Sequence, residues 1–184
     1  MTDTTLMIIA LVVVIALLAV VWVYIASRRR QQLRSRFGPE FERTAHDLGS
    51  EKRAEAVLAE REKRVASYRI RELSSEERAR FAESWRRVQG MFVDDPASAV
   101  TEADMLVTDL MNTRGYPMSD FEQRAEDLTV GHADVVHHYR AARDIATRHS
   151  RKAASTEDLR QALVHYRELF GELLGTSHQA RRSA

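Results

Sequence analysis

The chain has 184 residues, of which 44% are hydrophobic and 30% are charged, and it contains no cysteine. This composition indicates a folded chain with room for one ordinary domain, and it excludes a disulfide scaffold, a thiolate metal site and a cysteine nucleophile. The net charge is +1, and acidic side chains slightly outnumber basic ones after residue 36. Because non-specific nucleic-acid binding needs a basic face, the pattern argues against nucleic acid as a partner.

An apolar run near the amino terminus predicts a membrane anchor. Residues 6–25 read LMIIALVVVIALLAVVWVYI, without a charge, a glycine or a proline. At a rise of about 1.5 Å per residue, such a helix spans the roughly 30 Å of a bilayer core. A cleavable signal peptide would begin with positive charge and have a shorter apolar stretch, whereas this leader reads MTDTT. The run therefore predicts a retained transmembrane helix.

The residues that close this run predict its membrane interface. Trp22 and Tyr24 stand where amphipathic rings prefer the headgroup layer, and Arg28, Arg29 and Arg30 follow directly. Basic residues stay on the cytoplasmic side, and these all lie after the apolar run. The prediction is a single-pass protein in the cell membrane, with its amino terminus outside and its larger domain in the cytoplasm.

A charged helical connector is predicted behind the anchor. The pair Gly38-Pro39 breaks the helix, a short helix covers residues 40–48, and a charged helix covers residues 51–68. Glu60 and Arg64 have the spacing of an ion pair along that second helix. A plain connector is one interpretation, and a coiled-coil oligomerisation helix stays open as the other.

A helical bundle follows, and its helix starts carry capping signals. These are Ser74 with Glu77, Asp95 with Pro96, Ser119 with Glu122, and Ser155 with Asp158. The helices they open are expected to end near residues 92, 115, 128 and 175, with one further helix over residues 133–149. Apolar residues at helical spacing predict the core: Phe81, Trp85, Val88, Phe92, Val100, Ala103, Val107, Leu110, Met111, Val135, Tyr139, Ala142, Ala146, Leu159, Leu163, Tyr166, Phe170 and Leu173.

The predicted fold class is therefore all-α, with one amino-terminal transmembrane helix followed by an antiparallel helical bundle. The predicted segments are a non-cytoplasmic tail 1–5, the transmembrane helix 6–26, a basic juxtamembrane segment and hinge 27–38, the charged connector 39–73, the bundle core 74–175 and a flexible tail 176–184.

Histidines are the first candidates for chemistry. His132, His137 and His138 lack the i,i+4 spacing that places two imidazoles on one helix face, and no Glu-x-x-His occurs in the chain. The sequence therefore predicts neither a metal site nor a cofactor. His138, His149 and His165 are interpreted as partly buried, hydrogen-bonded side chains of the bundle.

Sequence motifs that are typical of enzymes are also absent. The chain has no Gly-x-Ser-x-Gly, no P-loop and no dinucleotide-binding glycine pattern. Glu122, Glu126 and Asp127 are interpreted as plain exposed helix charges. The sequence predicts a protein that is not an enzyme.

Four segments carry a family resemblance: LRSRFGPEFERTAHDLG, RELSSEERARFAESWRRVQGMFVDDPASAVTEADMLV, RGYPMSDFEQRAEDLTV and STEDLRQALVHYRELFGELL. Together they resemble an uncharacterised, chiefly actinobacterial family of membrane-anchored helical proteins, often labelled hypothetical or secreted. The resemblance implies one intact domain behind a membrane helix, and it implies no activity, cofactor or catalytic residue. The "secreted" label conflicts with the orientation predicted from the arginines.

The expected function is that of a membrane-anchored, non-enzymatic module that docks a cytoplasmic protein partner or a second copy of itself. Two alternatives stay open. One is an enzyme or metal-binding bundle whose site assembles from scattered side chains, and the other is an extracytoplasmic domain released by cleavage of the leader.

Overall fold

The computed structural model of the chain describes residues 2–151 and 154–175, and within the first helix it leaves out the side chains of residues 2–6, 9, 10, 12 and 26. The described residues form eight helices and no strand, which confirms the all-α prediction. The predicted tail 176–184 lies outside the described residues. The helices are α1 (Thr2–Phe37), α2 (Pro39–Leu48), α3 (Glu51–Ala66), α4 (Ser75–Asp94), α5 (Pro96–Thr113), α6 (Phe121–His132), α7 (Val136–Ser150) and α8 (Thr156–Leu174).

The chain divides into two compact units, Met1–Ala59 and Glu60–Ala184. In the first unit α1 ends at Phe37, Gly38 has a φ of 47°, and Pro39 opens α2, so the predicted break lies where the sequence placed it. Proline suits this position because the first helical residue needs no hydrogen-bonded N–H. The basic residues before Gly38 therefore continue the helix that carries the apolar run.

Helix α1 contains the predicted transmembrane segment, residues 6–26. Within the part of the chain that the structure describes, no helix is both long enough and apolar enough to cross a membrane. The side chains of Leu6, Ile9, Ala10, Val12 and Ala26 lie outside the described ones. The transmembrane helix stays a prediction.

The second unit is built from two helix hairpins. The start of α4 and the last turns of α5 and α8 lie at the same end of this unit, because Arg78 and Arg114 donate hydrogen bonds to the carbonyls of Leu174 and Leu173. The contact of His132 with Glu172 adds the residues before α7 to the same end. Helices α4 and α5 are therefore antiparallel, as are α7 and α8, whereas α5 and α8 run in the same direction.

The core of the second unit follows the predicted stripes closely. Phe81, Trp85 and Val88 are buried along α4, and the Trp85 ring stacks on Phe170 with centroids 4.7 Å apart. All five predicted residues of α5 are buried. Phe92, Ala146 and Leu163 are only partly buried and lie against the rim of the core. Burial of such side chains is the main stabilising contribution in a bundle of this kind.

The start of α6 differs from the prediction. The residue that caps it is Asp120, whose carboxylate accepts from the N–H of Gln123 at 2.9 Å, rather than Ser119 with Glu122. Helix α6 then runs on to His132 instead of ending near residue 128, so α7 begins three residues later than predicted. The guanidinium of Arg124, in the same helix, donates to the Ser119 carbonyl at 2.9 Å, which is compatible with the cap at Asp120.

Asp127 is the clearest error of the sequence interpretation. Its side chain is 1% exposed, not an exposed helix charge, and it accepts hydrogen bonds from Arg64 at 2.8 Å and Tyr68 at 3.0 Å. Arg64 therefore pairs with residues of α6, and the predicted ion pair between Glu60 and Arg64 is wrong. A buried carboxylate needs such charged and hydrogen-bonded partners, which lie about sixty positions away in the sequence.

Candidate functional site

The predicted membrane interface lies where the apolar part of α1 meets its basic part. Trp22 is 72% exposed and Tyr24 is 56% exposed, so both rings face outward from the helix. The guanidinium of Arg28 lies 5.1 Å from the centroid of the Tyr24 ring, within range of a cation–π contact. An aromatic ring and a positive charge therefore stand together one turn apart.

The apolar residues before this point expose their side chains on every side of the helix. All the large apolar side chains described between Met7 and Ile25 are at least half exposed, from 50% for Val13 to 73% for Met7. Water disfavours a continuous apolar surface of this kind, and such surfaces in proteins are covered by lipid or by another protein.

Four of the five arginines of α1 divide into two groups, and the first group, Arg30 and Arg34, makes ion pairs inside the first unit. Arg30 pairs with Glu55 and, at 3.7 Å, with Glu51. Arg34 pairs with Glu51 at 2.7 Å and with Glu42 at 3.8 Å. Carboxylates of α2 and α3 therefore compensate the charges of Arg30 and Arg34.

The second group is Arg28 and Arg29. Among the residues that the structure describes, neither has a carboxylate oxygen within ion-pair distance, and both side chains are exposed. With Tyr24, Ile25 and Gln32 they line a shallow open groove of about 460 Å³ along the helix. Of the five predicted interface residues, the structure thus brings Tyr24, Arg28 and Arg29 together and turns Arg30 toward acidic partners.

The histidines of the second unit form two separate contacts. His132 is buried, and its Nδ1 lies 3.2 Å from a carboxylate oxygen of Glu172, which is 4% exposed. Burial, and then the positive charge of Arg114, hold the pKa of His132 below its usual range, against the opposing pull of Glu172. The sequence offered no sign of this pair, since the two residues are forty positions apart.

His138 and His165 make the second contact, with their Nδ1 atoms 2.9 Å apart. Both are partly buried, which agrees with their interpretation as hydrogen-bonded bundle histidines. The ring centroids are 5.1 Å apart, close to the largest separation that this nitrogen–nitrogen distance permits, so the two nitrogens face each other almost head on. Burial lowers the pKa of both rings, and His137, whose ring centroid lies 3.9 Å from that of His138, lowers the pKa of both further.

This head-on arrangement suits a shared proton better than a shared metal. A metal ion bound about 2.0–2.1 Å from both nitrogens would need the ring directions to converge on a point beside the line that joins them. In the described parts of the chain, no group of three or more histidine, aspartate, glutamate or cysteine side chains is placed to hold a metal ion. The two facing nitrogens form an N–H···N hydrogen bond.

A polar network also crosses the middle of the bundle. Asp104 accepts from the hydroxyl of Tyr166 at 2.9 Å and from Arg143 at 2.9 Å, while Arg124 donates to the hydroxyl of Tyr139 at 3.2 Å. Both tyrosines are fully buried, and burial together with the Asp104 charge raises the pKa of Tyr166 far above its usual range. A shallow cavity of about 270 Å³ lies beside this network and is lined by Asp104, Met105, Thr108, Asp109, Asn112, Met118 and Arg124.

No protein-family model, curated protein or solved structure matches this chain. The family resemblance of the sequence stays a prediction. The function is therefore argued from the residues alone.

Proposed function

We propose that the chain is a single-pass membrane protein whose helical domain stays in the cytoplasm and acts as a non-enzymatic docking or scaffold module. The observation that carries the proposal is the exposed apolar surface around α1, from Met7 to Ile25, which is followed at once by arginines. Each leucine, isoleucine or valine in such a run favours insertion into lipid by roughly 0.3–0.6 kcal/mol.

The length of α1 is compatible with this role. Residues 6–25 would cross a hydrocarbon core of about 30 Å, and the remaining helical residues up to Phe37 would extend roughly 18 Å beyond it. The arginines then stand in the headgroup layer and the adjoining water, which is where positive charge is tolerated. Their position after the span supports a cytoplasmic location for the rest of the chain.

The docking role is supported by the exposed methionines of the second unit. Met105 is 54% exposed and Met118 is 68% exposed, and both border the cavity beside Asp104. Methionine side chains are flexible and polarizable, and they are used on surfaces that adapt to partners. This surface is where we expect a protein partner or a second copy to bind.

An enzyme or ligand-binding bundle is the second candidate, and the same cavity favours it. Asp104 and Arg124 place opposite charges along one wall, beside the buried hydroxyl groups of Tyr139 and Tyr166. A small polar ligand in this cavity would contact Asp104 and Arg124, which line it. Copurification of a stoichiometric small molecule with the full chain would favour this candidate over docking.

Membrane fractionation tests the anchor. We expect the full chain to stay in the membrane pellet after alkaline carbonate extraction, and the double variant Val14→Arg, Leu18→Arg to move to the supernatant. Arginine at the centre of a span costs about 2.5–3.5 kcal/mol per residue, so two substitutions outweigh the favourable contribution of about ten apolar residues. Val93→Arg is the matched control, because Val93 is an 83% exposed apolar residue of α4.

Topology is tested with a reporter fused after Ala184. We expect activity from a reporter that works only in the cytoplasm and no activity from one that works only outside the cell. A wild-type chain found in the soluble fraction, with a mature terminus beyond residue 26, would refute the anchor and favour the cleaved, extracytoplasmic alternative.

A further inference from the structure

The inference rests on the proposed membrane anchor and concerns the arginines that follow it. We propose that Arg28 and Arg29, together with the ring of Tyr24, form a binding site for the phosphate of an anionic phospholipid headgroup. In the same proposal, Arg30 and Arg34 serve a different purpose, which is to hold the acidic side chains of the first unit against α1.

The helical wheel separates the two groups. Successive residues of an α-helix are rotated by about 100°, so Tyr24, Arg28 and Gln32 share one side, and Arg29 is turned about 100° away from Arg28, between that side and Arg30. Arg30 and Arg34 lie on roughly the opposite side by the same count. The ion pairs agree with this division, because Glu51 contacts both Arg30 and Arg34.

The depth of the site suits a lipid phosphate. Arg28 lies three residues beyond Ile25, or about 4.5 Å past the end of the apolar run. That is the headgroup layer if residues 6–25 span the hydrocarbon core. The groove between Tyr24, Arg28, Arg29 and Gln32 is open toward this layer, with Ile25 at its apolar end.

The chemistry of the groove selects an anion. Guanidinium groups bind phosphate through paired N–H donors, and Gln32 adds an amide that donates as well. The contact between Arg28 and Tyr24 holds one guanidinium in place before a ligand arrives. No carboxylate among the described residues competes for Arg28 or Arg29.

The alternative explanation is a uniform charge effect, in which every arginine near the bilayer attracts anionic lipid equally. It predicts that any two arginines removed from α1 have the same effect on lipid binding. The two groups of arginines make these explanations separable, because they are equal in number and differ in their ion-pair partners, while Arg29 and Arg30 lie only about 1.5 Å apart along the helix and Arg34 lies about 6 Å beyond Arg30.

The test compares two doubly substituted full chains with equal net charge. Arg28→Gln with Arg29→Gln removes the proposed site, and Arg30→Gln with Arg34→Gln removes the compensated arginines. The full chain is held in detergent, phosphatidylglycerol or phosphatidylcholine is added, and bound lipid is counted by native mass spectrometry. Circular dichroism verifies that both variants keep their helix content.

We expect the wild-type chain to bind phosphatidylglycerol more tightly than phosphatidylcholine. The Arg28, Arg29 variant should lose about ten- to thirtyfold in affinity for phosphatidylglycerol, the effect of two charges near a membrane surface. The Arg30, Arg34 variant should lose less than about threefold, and Arg28→Lys with Arg29→Lys should recover part of the affinity because it restores the charge. Inorganic phosphate at equal concentration should leave the lipid bound.

Several results would overturn the proposal. Equal losses in the two double variants would assign lipid binding to net charge, and equal affinity of the wild type for both lipids would remove the site. Displacement of lipid by inorganic phosphate would replace the headgroup with free phosphate as the ligand. The anchor is judged separately by carbonate extraction, so its failure and the failure of the lipid site are distinguishable.

Discussion

The facing nitrogens of His138 and His165 link the packing of α7 and α8 to protonation. One Nδ1–H donates to the facing Nδ1, so protonation of that accepting nitrogen would place two N–H donors against each other. His137 stands next to this pair, and the carboxylates of Glu168 and Asp134 favour the protonated form of His138. Because burial is the largest effect, the pKa of both His138 and His165 lies below the usual 6.5.

A loss of stability on acidification follows from these shifts. The unfolded chain takes up protons near pH 6.5 whereas the folded chain resists them, so folding is most stable above that pH and weakens as pH falls below it. We expect the free energy of unfolding in urea to fall between pH 7.5 and pH 5.5, and to fall less steeply in His165→Gln. The difference in slope between the wild type and His165→Gln is a fraction of the roughly 1.4 kcal/mol per pH unit that one fully linked proton gives, because both rings are partly exposed and screened.

An exposed histidine supplies the comparison for this titration. The side chain of His46 in α2 is 91% exposed, so His46→Gln serves as the control for replacing a histidine outside the pair. If His165→Gln matched the wild type at every pH, the shared-proton description of the pair would be wrong.

The carboxyl end of α8 shows how one element is closed by residues far away in the sequence. Gly175 has a φ of 84° and ends the helix, and Arg78 donates to the carbonyl of Leu174 at 2.7 Å. A Cβ atom at position 175 would lie 2.8 Å from the Arg78 guanidinium. The backbone conformation therefore favours glycine here, and an added Cβ would also displace the end of the Arg78 side chain.

Alanine substitutions at two glycines should change stability in opposite directions. Gly175→Ala should lower the free energy of unfolding by about 1–2.5 kcal/mol, since it combines an unfavourable backbone conformation with displacement of the Arg78 hydrogen bond. Gly90→Ala, inside α4 with no atom within 4 Å of the added methyl group, should raise it by about 0.5–1 kcal/mol. Urea titration followed by circular dichroism measures both, and a stabilised Gly175→Ala protein would contradict this account of the cap.

The sequence predicted elements well where the signal is local. Capping by Ser74, Asp95 and Ser155 is confirmed, because a cap involves residues only three positions apart. At α6 the neighbouring residues Ser119 and Asp120 both fit a cap, so the capping pattern alone does not decide between them. The same limit applies to partners of buried polar groups.

The candidate sites show that contacts between residues far apart in the sequence are not predicted by local patterns. The interface residues of α1 could be predicted because an apolar run and its arginines are contiguous in the sequence. The division of the arginines into two groups could not be predicted, since Glu51, which pairs with Arg34, lies 17 positions away from it in the sequence. Asp127 was misread for the same reason, because its burial depends on Arg64 and Tyr68, which precede it by about sixty residues. The periodicity of apolar residues predicts which face of a helix is buried, whereas ion-pair partners depend on how the helices pack against each other.

For the whole molecule, the uncovered surface of α1 predicts how the chain behaves in water. Burial of one leucine, isoleucine or valine side chain contributes about 1.5–3 kcal/mol, and the exposed apolar residues run around the entire helix. One partner helix covers only a stripe of such a surface, so association in water does not stop at a dimer. A detergent micelle or bilayer covers all sides at once.

The full chain should therefore form large, polydisperse assemblies in buffer without detergent and a single species of low mass in a mild detergent. Size-exclusion chromatography with light scattering measures this difference. Val14→Arg with Leu18→Arg should shrink the assemblies because two charges interrupt the apolar surface, whereas Val93→Arg should leave them as they are. A wild-type chain that is monomeric in plain buffer would mean that α1 covers its apolar residues within one molecule, and the membrane anchor would lose its physical basis.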